Sequence, residues 1–282
     1  MINQVMFLNL SDVSKNEISL KVPNSGNSLN WLANIDQDWI DHLGGPKSNL
    51  PIARVCLEDA LSFACQAEYA LTQAYAHLIW FQKESSDAPN ESCAHHYCRF
   101  YVDDAILRLF SAAEHVANFI VVSLNISKDE LKSEKDGNTR SRAVTVGKYL
   151  AKQMPDSPIT KIVNCLHSEE WELLRKYRND WIHNKPQILD SPGLDYRRKN
   201  RWVTVAGMKM VALGGQQAPD QTLDNILEKM FKASRDFSGA LSKLTDIFFQ
   251  ELESLGIRRD IDAETIIPPD DYWTRFPPDG IF

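Results

Sequence analysis

Apolar positions along most of this chain recur every three or four residues, which is the period of an amphipathic helix. The longest such stretches are residues 51–84, 97–125 and 223–256. Each stretch is followed by turn-forming or helix-breaking residues. Long helices in sequence with short breaks between them predict a mainly α fold, an antiparallel helical bundle with small β-hairpin embellishments.

The first and last of these helices have the clearest apolar faces. The predicted buried face of the first is formed by Ile52, Val55, Leu57, Ala60, Phe63, Ala64, Ala67, Leu71, Ala74, Leu78 and Phe81. The predicted buried face of the last is formed by Leu223, Ile226, Leu227, Met230, Phe231, Phe237, Leu241, Leu244, Phe248 and Leu252. Gly256 follows as a helix-terminating glycine.

The pattern divides the chain into three regions. Residues 1–50 contain two short β-prone runs, VMFLNL and EISLKV, and predict a loop-rich arm with a small hairpin. Residues 51–256 form the predicted bundle, with a β-hairpin insertion near 200–214. The proline-rich residues 257–282 predict an extended tail.

One helix within the bundle, SEEWELLRKYRNDWIHNKP, lies between Ser168 and Pro186. Ser168 is a candidate N-cap, and two glutamates follow it in the first turn, where the helix dipole favours negative charge. Pro186 disfavours helical geometry at the preceding residue, so we expect the helix to end near Asn184. The apolar positions that define its buried face are Leu174, Tyr177 and Trp181.

The charge balance restricts the classes of function. The 282-residue chain is 43% hydrophobic, with a net charge of −7 and a pI near 5.5. An acidic chain is a poor candidate for coating duplex DNA, which requires a basic face. The balance still permits an enzyme that binds one phosphate in a small local site.

The five cysteines are an odd number in a long chain, which favours reduced thiols over a disulfide framework. The N-terminus has neither the basic region nor the long apolar region of a signal peptide. The apolar run at 119–124 is too short to cross a bilayer. We therefore expect a soluble, cytoplasmic protein that does not enter a membrane.

The helix between Ser168 and Pro186 carries Arg178, Asn179 and His183. A histidine in the last turn of a helix is favourable with the dipole alone, and Arg178 could pair with a first-turn acid. Residues five apart on a regular helix point about 140° away from each other. The two side chains reach one phosphate only if the helix end distorts or if two chains each contribute part of a site.

This arginine, polar residue and later histidine resemble the RNase-type motif of the HEPN superfamily. The resemblance covers residues 51–256 as a bundle, and its specific positions are Arg178, Asn179 and His183. It implies a homodimer in which paired motif helices form one RNA-cleaving cleft, with Arg178 and His183 catalytic and Asn179 supporting. A cognate inhibitor or regulatory partner is compatible with this hypothesis.

These residue types suit metal-independent RNA cleavage, for which no cofactor is expected. RNA carries its own nucleophile, the 2′-hydroxyl, so a 2′,3′-cyclic phosphate is the expected product. A histidine titrates near neutrality and can move the proton. An arginine remains charged and presents a planar fork to phosphate oxygens.

A line of polar residues on the helix at 97–125 is a second candidate. Its members, spaced by four and three residues, are Asp104, Arg108, Ser111, His115 and Asn118, with Glu114 flanking them. One interpretation is a solvated face with an ordinary ion pair between Asp104 and Arg108. The other is that the line borders the RNA cleft, where Arg108 would bind phosphate and Glu114 would orient a basic residue.

Two thiols and two imidazoles occur together in the segment CAHHYC, from Cys93 to Cys98. The segment lacks the distant second pair of ligands of an ordinary zinc site, so a plain loop entering a helix is the alternative. We expect no metal site. The alternative to a ribonuclease is a non-catalytic HEPN-like module that binds a nucleotide or a protein partner, and a purely structural bundle is a third hypothesis.

Overall fold

The computed structural model describes a mainly helical protein. The residues it describes are 10–80, 91–132, 141–183, 189–190, 199–205, 208–215 and 221–276. Within them, the side chains left undescribed are those of 91–95, 181, 183, 189–190, 199–205, 208–215, 221–222 and 224. The described parts of the chain contain eleven α-helices and three two-stranded β-pairings. This confirms the predicted helical bundle with small β-hairpins.

The helices follow the predicted apolar periodicity closely. They are α1 (Asp12–Lys21), α2 (Gly26–Ala33), α3 (Gln37–Gly44), α4 (Leu50–Ile79), α5 (Glu91–Ser123), α6 (Lys128–Lys132), α7 (Arg142–Gln153), α8 (Pro158–Val163), α9 (Glu169–His183), α10 (Leu223–Ser254) and α11 (Tyr272–Arg275). The largest shift is in α5, which starts at Glu91 instead of Tyr97, so the CAHHYC segment is helical and not a loop.

The predicted hairpin in the N-terminal arm is wrong, because the first five residues of EISLKV lie within α1 and Val22 is its C-cap. Local capping explains the helix. The Ser11 side chain accepts a hydrogen bond from the Ser14 backbone N–H at 3.3 Å, and Asp12 and Lys21 carry the favourable charges at the two ends. Ile18 is buried, which fixes the helix by packing. The other predicted run, VMFLNL, lies outside the described residues except for Leu10.

The strands are short and pair in twos. They are β1 (Leu189–Asp190), β2 (Lys199–Val205), β3 (Met208–Gly215), β4 (Gln221–Thr222), β5 (Arg258–Asp260) and β6 (Thr265–Ile267). Strands β2 and β3 form the antiparallel hairpin predicted near 200–214. The predicted extended tail is wrong for its first half, which forms a β5–β6 hairpin followed by α11. Residues 277–282 lie outside the described chain.

The chain divides into two compact units, and each collects three separate stretches of sequence. The first unit contains Met1–Pro23, Ala67–Leu107 and Ser168–Ser234. The second contains Asn24–Gln66, Arg108–His167 and Arg235–Phe282. The boundaries predicted at residues 50 and 256 do not coincide with this division.

Helices α9 and α10 supply many of the large buried side chains in the core of the first unit. The large buried apolar residues from these helices are Trp171, Leu174, Tyr177, Leu223, Ile226, Leu227, Met230 and Phe231. Tyr75 packs edge-on against Phe231, with ring centroids 5.1 Å apart. Its hydroxyl donates to Glu17 at 2.5 Å, which ties α1 to the unit.

In the second unit, α4 and α5 are antiparallel. Their contacts show this, since a later residue of α4 contacts an earlier residue of α5. Arg108 donates to the side chain of Gln66, and His115 lies 3.3 Å from Asp59. The start of α4 differs from the prediction, since Ile52 and Val55 are exposed and Ala53 is buried instead. Further along the helix the predicted face is confirmed, with Leu57, Ala60, Ala64, Ala67, Leu71, Ala74 and Leu78 buried. Gly256 ends α10 with a positive φ of 87°.

Helix α5 is the one described element long and apolar enough to be tested as a membrane span. Its segment His96–Ser123 has a mean hydropathy of 1.5 in its most apolar window, and 50% of that window is buried within the protein. A core helix of a globular protein has the same features. The finding is consistent with a soluble protein.

Candidate functional site

Helix α9 positions the motif residues, and its sequence explains both of its ends. The Ser168 side chain accepts a hydrogen bond from the Trp171 backbone N–H at 3.2 Å, as expected of an N-cap. Leu174 and Tyr177 are fully buried, so the predicted inner face is correct for these two residues. The helix is described through His183, one residue short of the predicted end.

The first turn of α9 is anchored by an ion pair, which places the rest of the helix. The Glu170 carboxylate is 2.7 Å from the ammonium of Lys232 and 4.0 Å from that of Lys229, both on α10. The hydrogen bond from Lys232 is the main cause of the lowered pKa of Glu170. Glu170 therefore connects two helices of the first unit, in addition to its favourable position in the helix dipole.

Arg178 and Asn179 form a joined polar pair on α9. The Arg178 Nη1 donates to the Asn179 side-chain oxygen at 3.2 Å, and both side chains are half-buried. The Nε of Arg178 is enclosed within the protein. A guanidinium held in this way is restricted in its orientation, which is the condition for binding a phosphate with a planar fork.

His183 is the last residue of α9, and its side chain lies outside the described part of the structure. Its backbone continues the same helix that carries Arg178. Because the helix is regular to this point, the two residues project about 140° apart. A single α9 therefore does not bring Arg178 and His183 to one phosphate through its regular turns alone.

Asp103 is a residue near the motif that sequence reasoning missed. The buried hydroxyl of Tyr177 donates to Asp103 at 2.6 Å, and the Arg99 guanidinium lies 3.9 Å from the same carboxylate. This contact joins α9 to α5 immediately before Arg178. The spacing of Arg99 and Asp103 by four residues was the available signal, but their i,i+4 pairing does not reveal the contact with Tyr177.

The polar line predicted on α5 is divided between the two units. Asp104 is half-buried in the first unit, whereas Arg108, Ser111 and Glu114 belong to the second. Arg108 is hydrogen-bonded to Gln66 of α4. Arg108 is therefore not fully solvated, and its guanidinium already binds a side chain of the same protein.

Glu114 serves the N-terminus of α7. Its carboxylate accepts a hydrogen bond from the Ser141 hydroxyl and another from the Arg142 backbone N–H at 2.8 Å. Asn118, one turn later on α5, accepts from the Arg142 guanidinium at 2.6 Å. This end of the polar line therefore has a structural role within the second unit, because Glu114 accepts a hydrogen bond from a backbone N–H in the first turn of α7, which has no partner within the helix.

A histidine, an acid and a thiol lie close together in the second unit, and their chemistry argues against a nucleophilic site. His115 contacts Asp59 and stacks on Phe63 with centroids 5.3 Å apart. Burial, and secondly the charge of Asp59, raises the pKa of the Cys56 thiol. A reactive cysteine requires the opposite shift, because the thiolate is the nucleophile.

The sequence of α9 carries Trp171, Trp181 and Ile182 around its polar residues, which is more apolar surface than one bundle face needs and predicts a dimer contact. The surface that the structure describes is smaller. Trp171 is buried within the chain and contributes no outward surface. Ile182 is exposed near the end of the helix. Trp181 is the third apolar residue of this prediction, and its side chain is outside the described set. Of these three residues, Ile182 is therefore the one whose described side chain could contact a second chain.

Metal binding finds no support among the side chains that the structure describes. No group of three or more histidine, cysteine or acidic side chains within that set could hold an ion. Cys98 is buried and His96 contacts the edge of Tyr97. The side chains of Cys93 and His95 lie outside the described set.

Comparison with protein-family models, with curated proteins and with solved structures finds no match for this chain.

Proposed function

We propose that this protein is a metal-independent endoribonuclease of the HEPN type that acts as a homodimer in the cytoplasm. The observation that carries the proposal is the Arg178–Asn179 pair, half-buried and hydrogen-bonded on a helix that reaches His183 five residues later. Arginine and histidine are the two residue types that this reaction requires. The acidic remainder of the chain confines the positive charge to a local site.

The proposed reaction is a transesterification within the RNA. The 2′-hydroxyl attacks the adjacent phosphorus, a new 2′-O–P bond forms, and the P–O5′ bond breaks. His183 takes the proton from the 2′-hydroxyl and, as the imidazolium, gives a proton to the leaving 5′-oxygen, which becomes a hydroxyl. Arg178 stabilises the crowded phosphate, and the products are a 2′,3′-cyclic phosphate and a 5′-hydroxyl.

A homodimer follows from the helix geometry in this proposal. Arg178 and His183 diverge by about 140° on one helix, so the Arg178 of one chain and the His183 of another make a more favourable composite site. The exposed Ile182 offers an apolar contact beside the motif. Light scattering at micromolar concentration should give a dimer, and a monomer would count against the composite site.

Cleavage is tested with the purified full chain, single-stranded and structured RNAs, and excess EDTA. We expect 2′,3′-cyclic phosphate ends and a loss of cleavage of about 10²–10⁴-fold in His183→Ala. Arg178→Ala should also lose activity. Arg178→Lys should not restore it fully, because an ammonium cannot reproduce the guanidinium fork.

Matched variants separate a catalytic effect from a general loss of charge. Arg175→Ala removes a half-buried arginine, paired with Glu172, from the same helix, and His96→Ala removes an exposed histidine from α5. Both should cleave at the wild-type rate. Equal cleavage by wild type and His183→Ala, or no cleavage by wild type across varied RNAs, would reject the nuclease.

The alternative is a non-catalytic module that uses the same helix to bind a nucleotide or protein. The net charge of −7 favours this alternative, since RNA enzymes commonly have a more basic surface. Saturable RNA binding that is lost in Arg178→Ala, together with intact RNA after long incubation, would support the module over the enzyme.

A further inference from the structure

Two rows of aromatic and polar side chains come together in the first unit. On α4, Tyr69, Gln73 and His77 are each four residues apart, so they follow one face of the helix. On α5, Tyr97 and Tyr101 have the same spacing. None of these residues belongs to the Arg178–His183 motif, and we call the five together the aromatic row.

Three rings of the aromatic row, those of His77, Tyr97 and Tyr101, are stacked in a nearly parallel arrangement. His77 lies 5.2 Å from Tyr97 with an interplanar angle of 23°, and 5.8 Å from Tyr101 with an angle of 17°. Tyr97 is 48% exposed and Tyr69 is also exposed. A stack of nearly parallel rings that reaches the surface is a suitable platform for one more planar group.

Gln73 gives this surface a second property. Its side chain is only 7% exposed, and its Nε2 is buried with no hydrogen-bond partner. A buried donor without a partner is costly by about 1–3 kcal/mol, so it is uncommon in a folded protein. Gln73 lies four residues from both Tyr69 and His77 on α4, so its side chain leaves the helix on the same face as theirs.

The charge of the aromatic row selects the kind of group that it accepts. Burial lowers the pKa of His77 to about 4, so its imidazole is neutral near pH 7. The pKa of Tyr101 is raised, first by burial and then by the neighbouring Tyr69, Tyr97 and Asp104, so its hydroxyl also stays neutral. A neutral stack beside an acidic group disfavours a phosphate and favours an uncharged planar ring.

We propose that the aromatic row binds an unpaired base of single-stranded RNA, which stacks on Tyr97 and accepts a hydrogen bond from Gln73. A nucleobase combines a planar ring with carbonyl oxygen and ring nitrogen acceptors, whereas an aliphatic side chain of a protein partner has no acceptor for Gln73. The inference rests on the proposed ribonuclease function for its ligand, and it makes single-stranded RNA the substrate class.

Binding is measured by fluorescence anisotropy with a short labelled oligonucleotide of 2′-O-methyl RNA, in EDTA. This RNA lacks the 2′-hydroxyl nucleophile, so binding is observed separately from cleavage. Tyr97→Leu should weaken binding by about tenfold or more, since stacking contributes about 1–3 kcal/mol per base. Tyr97→Phe keeps the ring and should remain within about twofold of wild type.

Two further measurements use matched controls. Trp273→Leu removes an exposed aromatic side chain from the second unit and should leave binding unchanged. An oligonucleotide with abasic positions should bind wild type as weakly as the intact oligonucleotide binds Tyr97→Leu. Gln73→Met keeps the length of the side chain and removes the donor. Circular dichroism checks that this variant is folded, and its affinities for oligonucleotides of different bases should differ less than those of wild type.

The results distinguish this inference from the proposed nuclease. RNA cleavage that needs His183, combined with equal RNA binding by wild type and Tyr97→Leu, would overturn the stacking site alone. Tyr97-dependent binding without cleavage would overturn the nuclease alone. Equal weakening by Tyr97→Phe and Tyr97→Leu, or failure of wild type to bind single-stranded RNA, would also reject the stacking site.

Discussion

The two halves of α5 use similar residues in different ways. Residues 108–123, in the second unit, direct polar groups to other parts of the same chain, as in the bonds of Arg108 with Gln66 and of Glu114 with Ser141. Residues 96–107, in the first unit, present Tyr97 and Phe100 to solvent. The comparison shows that a line of polar residues is weak evidence of a site when their partners lie within the fold. An exposed, stacked ring in the same unit as a buried donor without a partner is better evidence.

The largest expected difference between the two halves concerns stability. Phe119 is buried and packs edge-on against Phe248, with centroids 6.3 Å apart, whereas Phe100 is 57% exposed. Phe119→Ala should lower the free energy of unfolding by about 3–5 kcal/mol. Phe100→Ala should change it by no more than about 0.5 kcal/mol. Urea denaturation of both variants checks this, and similar losses would remove the distinction between the two halves.

A smaller effect is expected at Glu114. Glu114→Ala should lower the free energy of unfolding by about 1–3 kcal/mol, because the Ser141 hydroxyl and the Arg142 N–H lose a charged acceptor. Hydrogen exchange should become faster in the first turn of α7. The control is Glu251→Ala on the exposed side of α10, which should change stability little. If Glu114→Ala were as stable as wild type, the structural role of this carboxylate would be wrong, and a role in ligand binding would be open again.

The smallest effect concerns Glu170 in the first unit. Glu170→Gln should lower the free energy of unfolding by about 1 kcal/mol near pH 7, because it loses the ion pair with Lys232. The pKa of Glu170 is lowered in the folded state, so its contribution is present above the unfolded pKa, near 4.3, and is lost as pH falls through the folded pKa.

Thermal denaturation at neutral pH and near pH 3 measures this dependence. The difference between wild type and Glu170→Gln should be present at neutral pH and shrink in acid. Glu169→Gln removes a charge from the same first turn at an exposed position, so it is the matched control for the helix dipole and should lose less stability at neutral pH than Glu170→Gln. A difference that persists in acid would show that packing, and not the charge of Glu170, stabilises the start of α9.

Local signals were sufficient to predict several elements. Helix α10 has an apolar face in which all ten predicted residues are buried, and the positive φ of Gly256 ends the helix as expected. The N-cap of α9 was equally readable from Ser168. In α1, however, the β-prone run EISLKV was overridden by capping at Ser11 and by the burial of Ile18, which β-propensity alone does not include.

For the candidate site, the sequence predicts contacts within one helix but not contacts between helices. Sequence spacing placed Arg178 and Asn179 on α9 and allowed their contact. It could not reveal that Tyr177 bonds Asp103 instead of Asp104, because adjacent residues on α5 differ by about 100° in direction. It also could not reveal that Gln73 lacks a partner, since hydrogen-bond satisfaction depends on the neighbours supplied by folding.

The interleaved make-up of the two units has a consequence for biosynthesis. The chain passes between them five times, and three of these passages fall inside α4, α5 and α10. The first unit therefore lacks its last segment until Ser234 has left the ribosome, and the second waits for residues after Arg235. Each unit is complete only after its last segment, residues 168–234 or 235–282, has been synthesised. Neither unit can be produced alone as a continuous fragment.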